Sequence, residues 1–180
     1  MAILHIPDFD IQTDDSTEIK SFFNARGILF EQWEAKAELA NDADQATILE
    51  AYSERLDPYM SANGYKVADV INVHPALPNI EEIGKKFLSE HTHSEDEVRF
   101  FVDGEGLFWF NLDNGTDPIF CLQCQKGDLI SVPAGTKHWF DFGPKRFVKC
   151  IRVFIDPSGW VPDYTGSKID VPYHEMSVAV

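Results

Sequence analysis

Four side chains in this sequence have the types and spacing to hold a metal ion. His91, His93 and Glu97 lie in the run Glu90-His91-Thr92-His93-Ser94-Glu95-Asp96-Glu97-Val98-Arg99-Phe100-Phe101, and His138 follows well downstream. Side chains at even spacing leave an extended strand from one face. His91, His93 and Glu97 are therefore expected to converge on one point. Neutral imidazoles with one carboxylate form the donor set of non-haem iron oxygenases. A fourth donor from a distant strand closes one side of such a site and leaves the other open to substrate. A His-x-His pair alone also occurs as a solvent-facing pair. The parity of Glu97, and His138 at a strand entrance after Pro133-Ala134-Gly135-Thr136-Lys137, favour the metal. Arg99 shares the same parity. On a regular strand its guanidinium points into the same cavity, where a fixed cation favours a negatively charged substrate. The alternative is a surface arginine in an acidic protein.

The elements that must position these residues are readable in outline. Asp15-Ser16 starts a helix, with Ile19, Phe22 and Phe23 on one face and Gly27 ending it. Ile28-Leu29-Phe30 is a short strand. A longer helix is expected from Ala43 to Ala62, with Pro58 as a site of kinking. Val67–Val73 reads as a strand and Asn79–Leu88 as a helix. Beyond Glu95, β-branched and aromatic runs alternate with turn signals. The strands are expected at Glu97–Val102, Leu107–Leu112, Pro118–Cys124, Leu129–Val132, His138–Phe142 and Phe147–Ile155. Asp103-Gly104-Glu105-Gly106 is read as the turn between the first two.

Composition narrows the function classes. A chain of 180 residues suits one domain, and 44% apolar with 25% charged residues is that of a soluble globular protein. Fourteen Phe and four Trp suggest a barrel or sandwich filled with rings. A formal net charge of −15 repels phosphate backbones and anionic bilayers, so nucleic acid and membrane are not expected as partners. No apolar run approaches the roughly 20 residues of a membrane span, and Met1–Asp8 has neither the basic nor the apolar stretch of a signal peptide. Cys121, Cys124 and Cys150 do not make a disulfide framework. Cys121-x-x-Cys124 resembles a redox or zinc pair, but a spacing of three on a strand puts the sulfurs on opposite faces, so buried structural thiols are expected. The cytoplasm is the expected compartment. His5, His74 and His174 have no evident partners.

The spacing carries a further signal. His-x-His, three residues, Glu97, six residues, Gly104, and then Gly127, five residues, Pro133-x-Gly135-x-x-His138 resembles the two motifs of the cupins. Within them, Glu90-His91-Thr92-His93, Glu95–Phe101 and Ser131–Asp141 are similar to the acireductone dioxygenase family of methionine salvage. Two positions depart from the general motifs: Gly84 stands seven before His91, and Phe142 occupies a position that is usually Asn. Neither is a ligand.

The resemblance implies a mainly β fold with helices (α+β), a double-stranded β-helix barrel preceded by N-terminal helices. It implies one domain over 1–180, with a helix/strand part at 1–88, a metal-binding barrel core at 89–156 and an irregular tail at 157–180. By resemblance, His91, His93, Glu97 and His138 bind one Fe²⁺ or Ni²⁺, and Arg99 stabilises a substrate dianion. Glu90 and Asp96 match positions with supporting roles in metal loading or conformational relay, although either could be a surface acid. The implied substrates are an acireductone and O₂. Phe100, Phe140 and Trp160 are candidates for the apolar wall around its thioether chain. Phe140 shares the parity of His138, whereas Phe100 opposes Arg99 and is expected to pack outside the barrel. A monomer is expected from the high charge. The rival readings are a non-catalytic metal-binding cupin sensor, or a cupin isomerase or oxidase. Acidic N-terminal helices argue against a DNA-reading sensor.

Overall fold

The computed structural model describes residues 1–35, 39–40, 42–156 and 161–176. The elements run β1 (Ile3–Ile6), β2 (Ile11–Thr13), α1 (Ser16–Asn24), β3 (Leu29–Gln32), α2 (Gln45–Asn63), β4 (Val67–Val73), α3 (Ile80–Leu88), β5 (His91–Thr92), β6 (Glu97–Asn111), β7 (Phe120–Gln125), β8 (Asp128–Val132), β9 (Lys137–Asp141), β10 (Val148–Phe154) and β11 (Asp163–Tyr164). The fold is mainly β with three α-helices among the described residues, as expected. The helices start where the sequence signals them. The Asp15 carboxylate accepts from the Thr17 and Glu18 amides of α1, and Asp44 accepts from Thr47 in α2. Helix α2 continues past Pro58 to a left-handed Gly64 and buries Ile48, Tyr52 and Leu56.

The architecture turns on β6. Residues 97–104 pair with β8 and β10, and residues 105–111 pair with β7 and β9. One long strand thus belongs to two sheets. One carries the order β11-β5-β9-β6-β7-β1-β2, and the other joins β4-β10-β6-β8-β3. The turn expected at Asp103–Gly106 does not form. Gly104 does take positive φ (+76°), but it bends a continuous strand, and the register against β10 shifts at Lys149/Cys150. The extra residue on β6 exchanges its faces across the bend. Before it, Phe101 packs in the inner core while Val98, Phe100 and Val102 pack under α2; after it, Phe108 and Phe110 take the inner side.

The inner core is aromatic, as the composition suggested: Phe23, Phe110 and Phe120 meet at ring distances of 5.2–5.7 Å beside Phe108 and Phe140. Phe100 sits against Trp33 and Tyr52, outside the barrel, as its parity implied. Strands β1, β3 and β4, all from the first 88 residues, are integral to the sheets. In the tail read as irregular, Asp163–Tyr164 pairs with His91–Thr92 on β5.

Candidate metal centre

The ligand-bearing run is not one regular strand. His91-Thr92 pairs across β9, the chain turns at Ser94-Glu95, and β6 begins at Glu97. Convergence therefore comes from a turn between two sheets rather than from strand parity over the whole run. Two bonds hold this turn. The Gly135 amide donates to the His93 carbonyl at 2.9 Å, and the Ala134 amide donates to the Asp96 carboxylate at 2.9 Å. Asp96 also accepts from the Tyr65 hydroxyl at 3.3 Å. The Pro133–Gly135 turn that delivers His138 is thus tied to the turn that delivers His93 and Glu97. The pairing of His91 with His138 brings the remaining two ligands side by side.

The result is a buried quartet. The donor atoms of His91, His93, Glu97 and His138 lie within 4.8 Å of one another, and none of the four residues exceeds 6% exposure. His91 Nδ1 donates to the Ser89 carbonyl at 2.7 Å and His138 Nδ1 to the Thr136 carbonyl at 2.8 Å. A carbonyl only accepts, so each Nδ1 carries a proton, and in a neutral ring that leaves the lone pair on Nε2. His138 Nε2 then faces Glu97 Oε2 at 2.7 Å, and His93 Nε2 faces the same oxygen at 3.2 Å. These contacts are hydrogen bonds when Nε2 carries a proton; with Nε2 deprotonated, a metal cation takes the proton's place between ring and carboxylate. This donor set fits a divalent metal.

The electrostatics agree. Burial, and then His138, push His91 down to about 4, so its ring is neutral at pH 7 and free to ligate. Burial alone pushes the Glu97 carboxyl up, but Arg99 and the hydrogen bonds of His138 and His93 outweigh it and hold the group well below the usual carboxylate range. The Glu97 carboxylate is divided: Oε2 turns to the histidines, and Oε1 lies 2.6 Å from Arg99 Nε. Arg99 is itself 2% exposed, and its guanidinium carbon lies 4.3 Å from the Phe140 ring centre, 5.4 Å from Phe108 and 5.8 Å from Phe87. It is not a surface arginine.

Comparisons with known proteins place the chain in a family. The sequence profile described as "ARD/ARD' family" matches residues 9–162. The chain belongs to this family. It is 58% identical over 166 residues to an acireductone dioxygenase of Picosynechococcus sp., covering 92% of this chain and 93% of that one. It is 48% identical over 157 residues to one of Hahella chejuensis, covering 87% and 83%. Among solved structures it resembles an acireductone dioxygenase from Bacillus anthracis described with a cadmium ion in its active centre. That match has a TM-score of 0.81 and 32% identity, and covers 91% of this chain and 98% of that one. As a member of the ARD/ARD' family, the chain is an oxidoreductase with a metal site, not a binding module alone.

The other expected site residues fall at different distances from the quartet. Glu90 is buried beside His91 and accepts from Asn111 Nδ2 (2.6 Å), Thr165 Oγ1 (2.5 Å) and Ser167 Oγ (2.6 Å). Burial pushes its carboxyl up, but those hydrogen bonds prevail and lower it. Glu90 thus fastens residues 165–167 to the metal-bearing strand and is not a surface acid. Phe140 faces Arg99 from β9. Trp160 lies outside the described residues. Cys121 and Cys124 point to opposite sides, the first among Trp109 and Trp139 and the second in the inner core. Burial pushes both thiols well up, in keeping with structural thiols. Asn111, Thr165, Ser167, Tyr65 and Phe108 carried no signal in the sequence, because they are brought to the site by folding, from the far half of β6, the segment after β11 and the turn between α2 and β4.

Proposed function

We propose that this chain is a metal-dependent acireductone dioxygenase of methionine salvage. In this reading, His91, His93, Glu97 and His138 hold one Fe²⁺ or Ni²⁺, and the substrates are 1,2-dihydroxy-3-keto-5-(methylthio)pentene and O₂. The observation that carries it is the buried three-imidazole, one-carboxylate quartet with Arg99 against the same carboxylate, in a chain whose curated relatives bear that name.

A divalent cation at this site supplies Lewis acidity toward the enediol oxygens. The chain's own residues do the rest. His91 and His138 are locked in one tautomer by the Ser89 and Thr136 carbonyls, which removes a reorganisation step when the donors are needed. Glu97 and Arg99 cancel each other's charge, so a divalent cation leaves the site with two net positive charges, the complement of an enediolate dianion. Arg99, held in place by Glu97, is the fixed cation that favours the dianion over the neutral enediol. The dianion is electron-rich and yields an electron to O₂ far more readily than the neutral form. Phe108 and Phe140 keep water from the guanidinium and so strengthen its field.

With iron, cleavage gives 4-methylthio-2-oxobutanoate and formate. With nickel, it gives 3-(methylthio)propanoate, formate and carbon monoxide. Glu90 and Asp96 support the site by fastening the segments around it, and Phe140 lines its apolar side. The proposal extends to a single cytoplasmic domain acting as a monomer; three buried cysteines without a disulfide support the compartment. The test is metal analysis, reconstitution with each metal separately, and product identification. His93→Ala is expected to lose metal and oxygen uptake together. Unchanged oxygen uptake in that variant, or a purified chain that takes up no metal, would sink the proposal.

A further inference from the structure

Gly106 lies on β6 opposite Cys124 of β7, one residue before the stretch that pairs with β9, and nothing in its backbone demands glycine: its φ is not among the positive values found elsewhere in the chain. What demands it is a ring. A Cβ at position 106 would meet Phe140 Cζ at 2.2 Å and Cε2 at 2.6 Å, with Phe101 Cε1 at 3.3 Å. Atoms do not approach so closely, so any side chain at 106 must push the Phe140 ring away. That ring has little freedom to yield. Phe108 packs on it at 4.7 Å and Phe142 at 5.9 Å, and Phe142 in turn lies 3.6 Å from where a Cβ of Gly84 would stand. On its other side the ring lies 4.3 Å from the Arg99 guanidinium carbon, which lies beside Glu97.

We propose that Gly106 and Phe140 are positioning residues for Arg99. The missing side chain at 106 admits the Phe140 ring to the depth at which its face supports the Arg99 guanidinium beside Glu97. The inference rests on the reading of the site given above and adds two residues to it. A guanidinium taken out of water has lost its hydration, and an aromatic face with its negative quadrupole returns part of that stabilisation. It also fixes the plane of the group, which a shapeless apolar wall does not. The order of contact is Gly106, Phe140, Arg99, Glu97. The depth of one ring therefore sets both the fixed cation and the orientation of a ligand carboxylate.

The test uses Phe140→Leu, Gly106→Ala and the double variant, with Phe120→Leu as the control for loosening the same aromatic core. The first readout is the Arg99 Nε–Hε signal by ¹⁵N NMR of the zinc-loaded protein without substrate. The Phe140 ring current marks it in the native protein. Both Phe140→Leu and Gly106→Ala are expected to move it, and Phe120→Leu is not. The second readout is kcat of the iron-loaded enzyme on the acireductone, with metal content measured alongside. Phe140→Leu is expected to lower kcat roughly 10- to 30-fold at unchanged metal content, the size of a desolvated cation–π contact. In the Phe140→Leu background, Gly106→Ala is expected to cost less than about threefold, because the ring it displaces is gone. An Arg99 signal unmoved by Phe140→Leu, or losses that multiply in the double variant, would overturn the proposal. Should Gly106→Ala fail to fold, Phe140→Leu and its NMR signal still decide. If the native enzyme leaves the acireductone untouched, the functional reading fails, while the NMR arm still judges the positioning claim.

Discussion

Arg99→Met separates the structural and catalytic parts of the site. The substitution keeps most of the side chain's apolar length and removes a guanidinium that is 2% exposed and 2.6 Å from Glu97 Oε1. Breaking a buried pair from one side strands the remaining charge and costs about 3–5 kcal/mol. In the metal-free protein Glu97 keeps only its contacts with His93 and His138 to offset that cost. For a domain of this size each kcal/mol moves Tm by about 2–4 °C, so the metal-free variant is expected to melt about 6–20 °C lower. With a divalent cation held by the quartet, Glu97 would gain a full opposite charge and the difference would shrink. Turnover follows the opposite pattern. The variant retains metal but lacks the fixed cation for the substrate's charge, a loss expected at about 10²–10³ in kcat/KM. Scanning calorimetry with and without metal, metal analysis and oxygen uptake read the three quantities separately. Equal Tm values for the metal-free native and variant proteins would refute the buried-pair argument, and full turnover would remove Arg99 from catalysis.

Removing metal with a chelator is expected to lower Tm, since a ligand at a thousandfold excess over Kd adds about 4 kcal/mol to the folded state; an unchanged melting curve would contradict a single buried centre. Asp96→Ala frees the Ala134 amide and the Tyr65 hydroxyl, and competition titration should find metal affinity weakened about 10- to 100-fold. An affinity equal to the native one would show that the tie between the two turns is idle. Gly104→Ala forces a side chain onto a φ of +76° with its Cβ 2.1 Å from the Phe147 carbonyl oxygen. Denaturant unfolding should give a loss of at least about 2 kcal/mol, and a neutral result would mean that the bend in β6 has another cause. Burial pushes all three thiols up, Cys150 to about 11, so none of them is expected to react with Ellman's reagent in the folded protein at pH 8 and all of them should react on unfolding.

The outcomes for individual residues follow one rule. His91, His93, Glu97 and His138 were legible because histidine is rare in the chain and their separations match a known ligand pattern. Strand and helix positions were legible because each carries its own periodicity and stop signals: Asp15 caps the helix it starts, and Val67–Val73 and Val148–Phe154 stand within a residue or two of their expected bounds. The turn read at Asp103–Gly106 was wrong for a physical reason. A left-handed glycine suits both a chain reversal and a strand bend, and local residues do not distinguish them. Partners do: β8 and β10 hold one half of β6 while β7 and β9 hold the other.

The identity of the four donors, the chemistry open to them and the run of elements around them are written in local order along the chain, since residue type and short-range spacing act before any distant contact exists. Other properties arise from packing between elements far apart in sequence. These are the division of the Glu97 carboxylate between Arg99 and the histidines, the fastening of Glu90 by Asn111, Thr165 and Ser167, and the seat of Phe140 against Gly106. Such contacts exist only once two sheets have closed on each other, because burial removes the water that would otherwise satisfy each group separately.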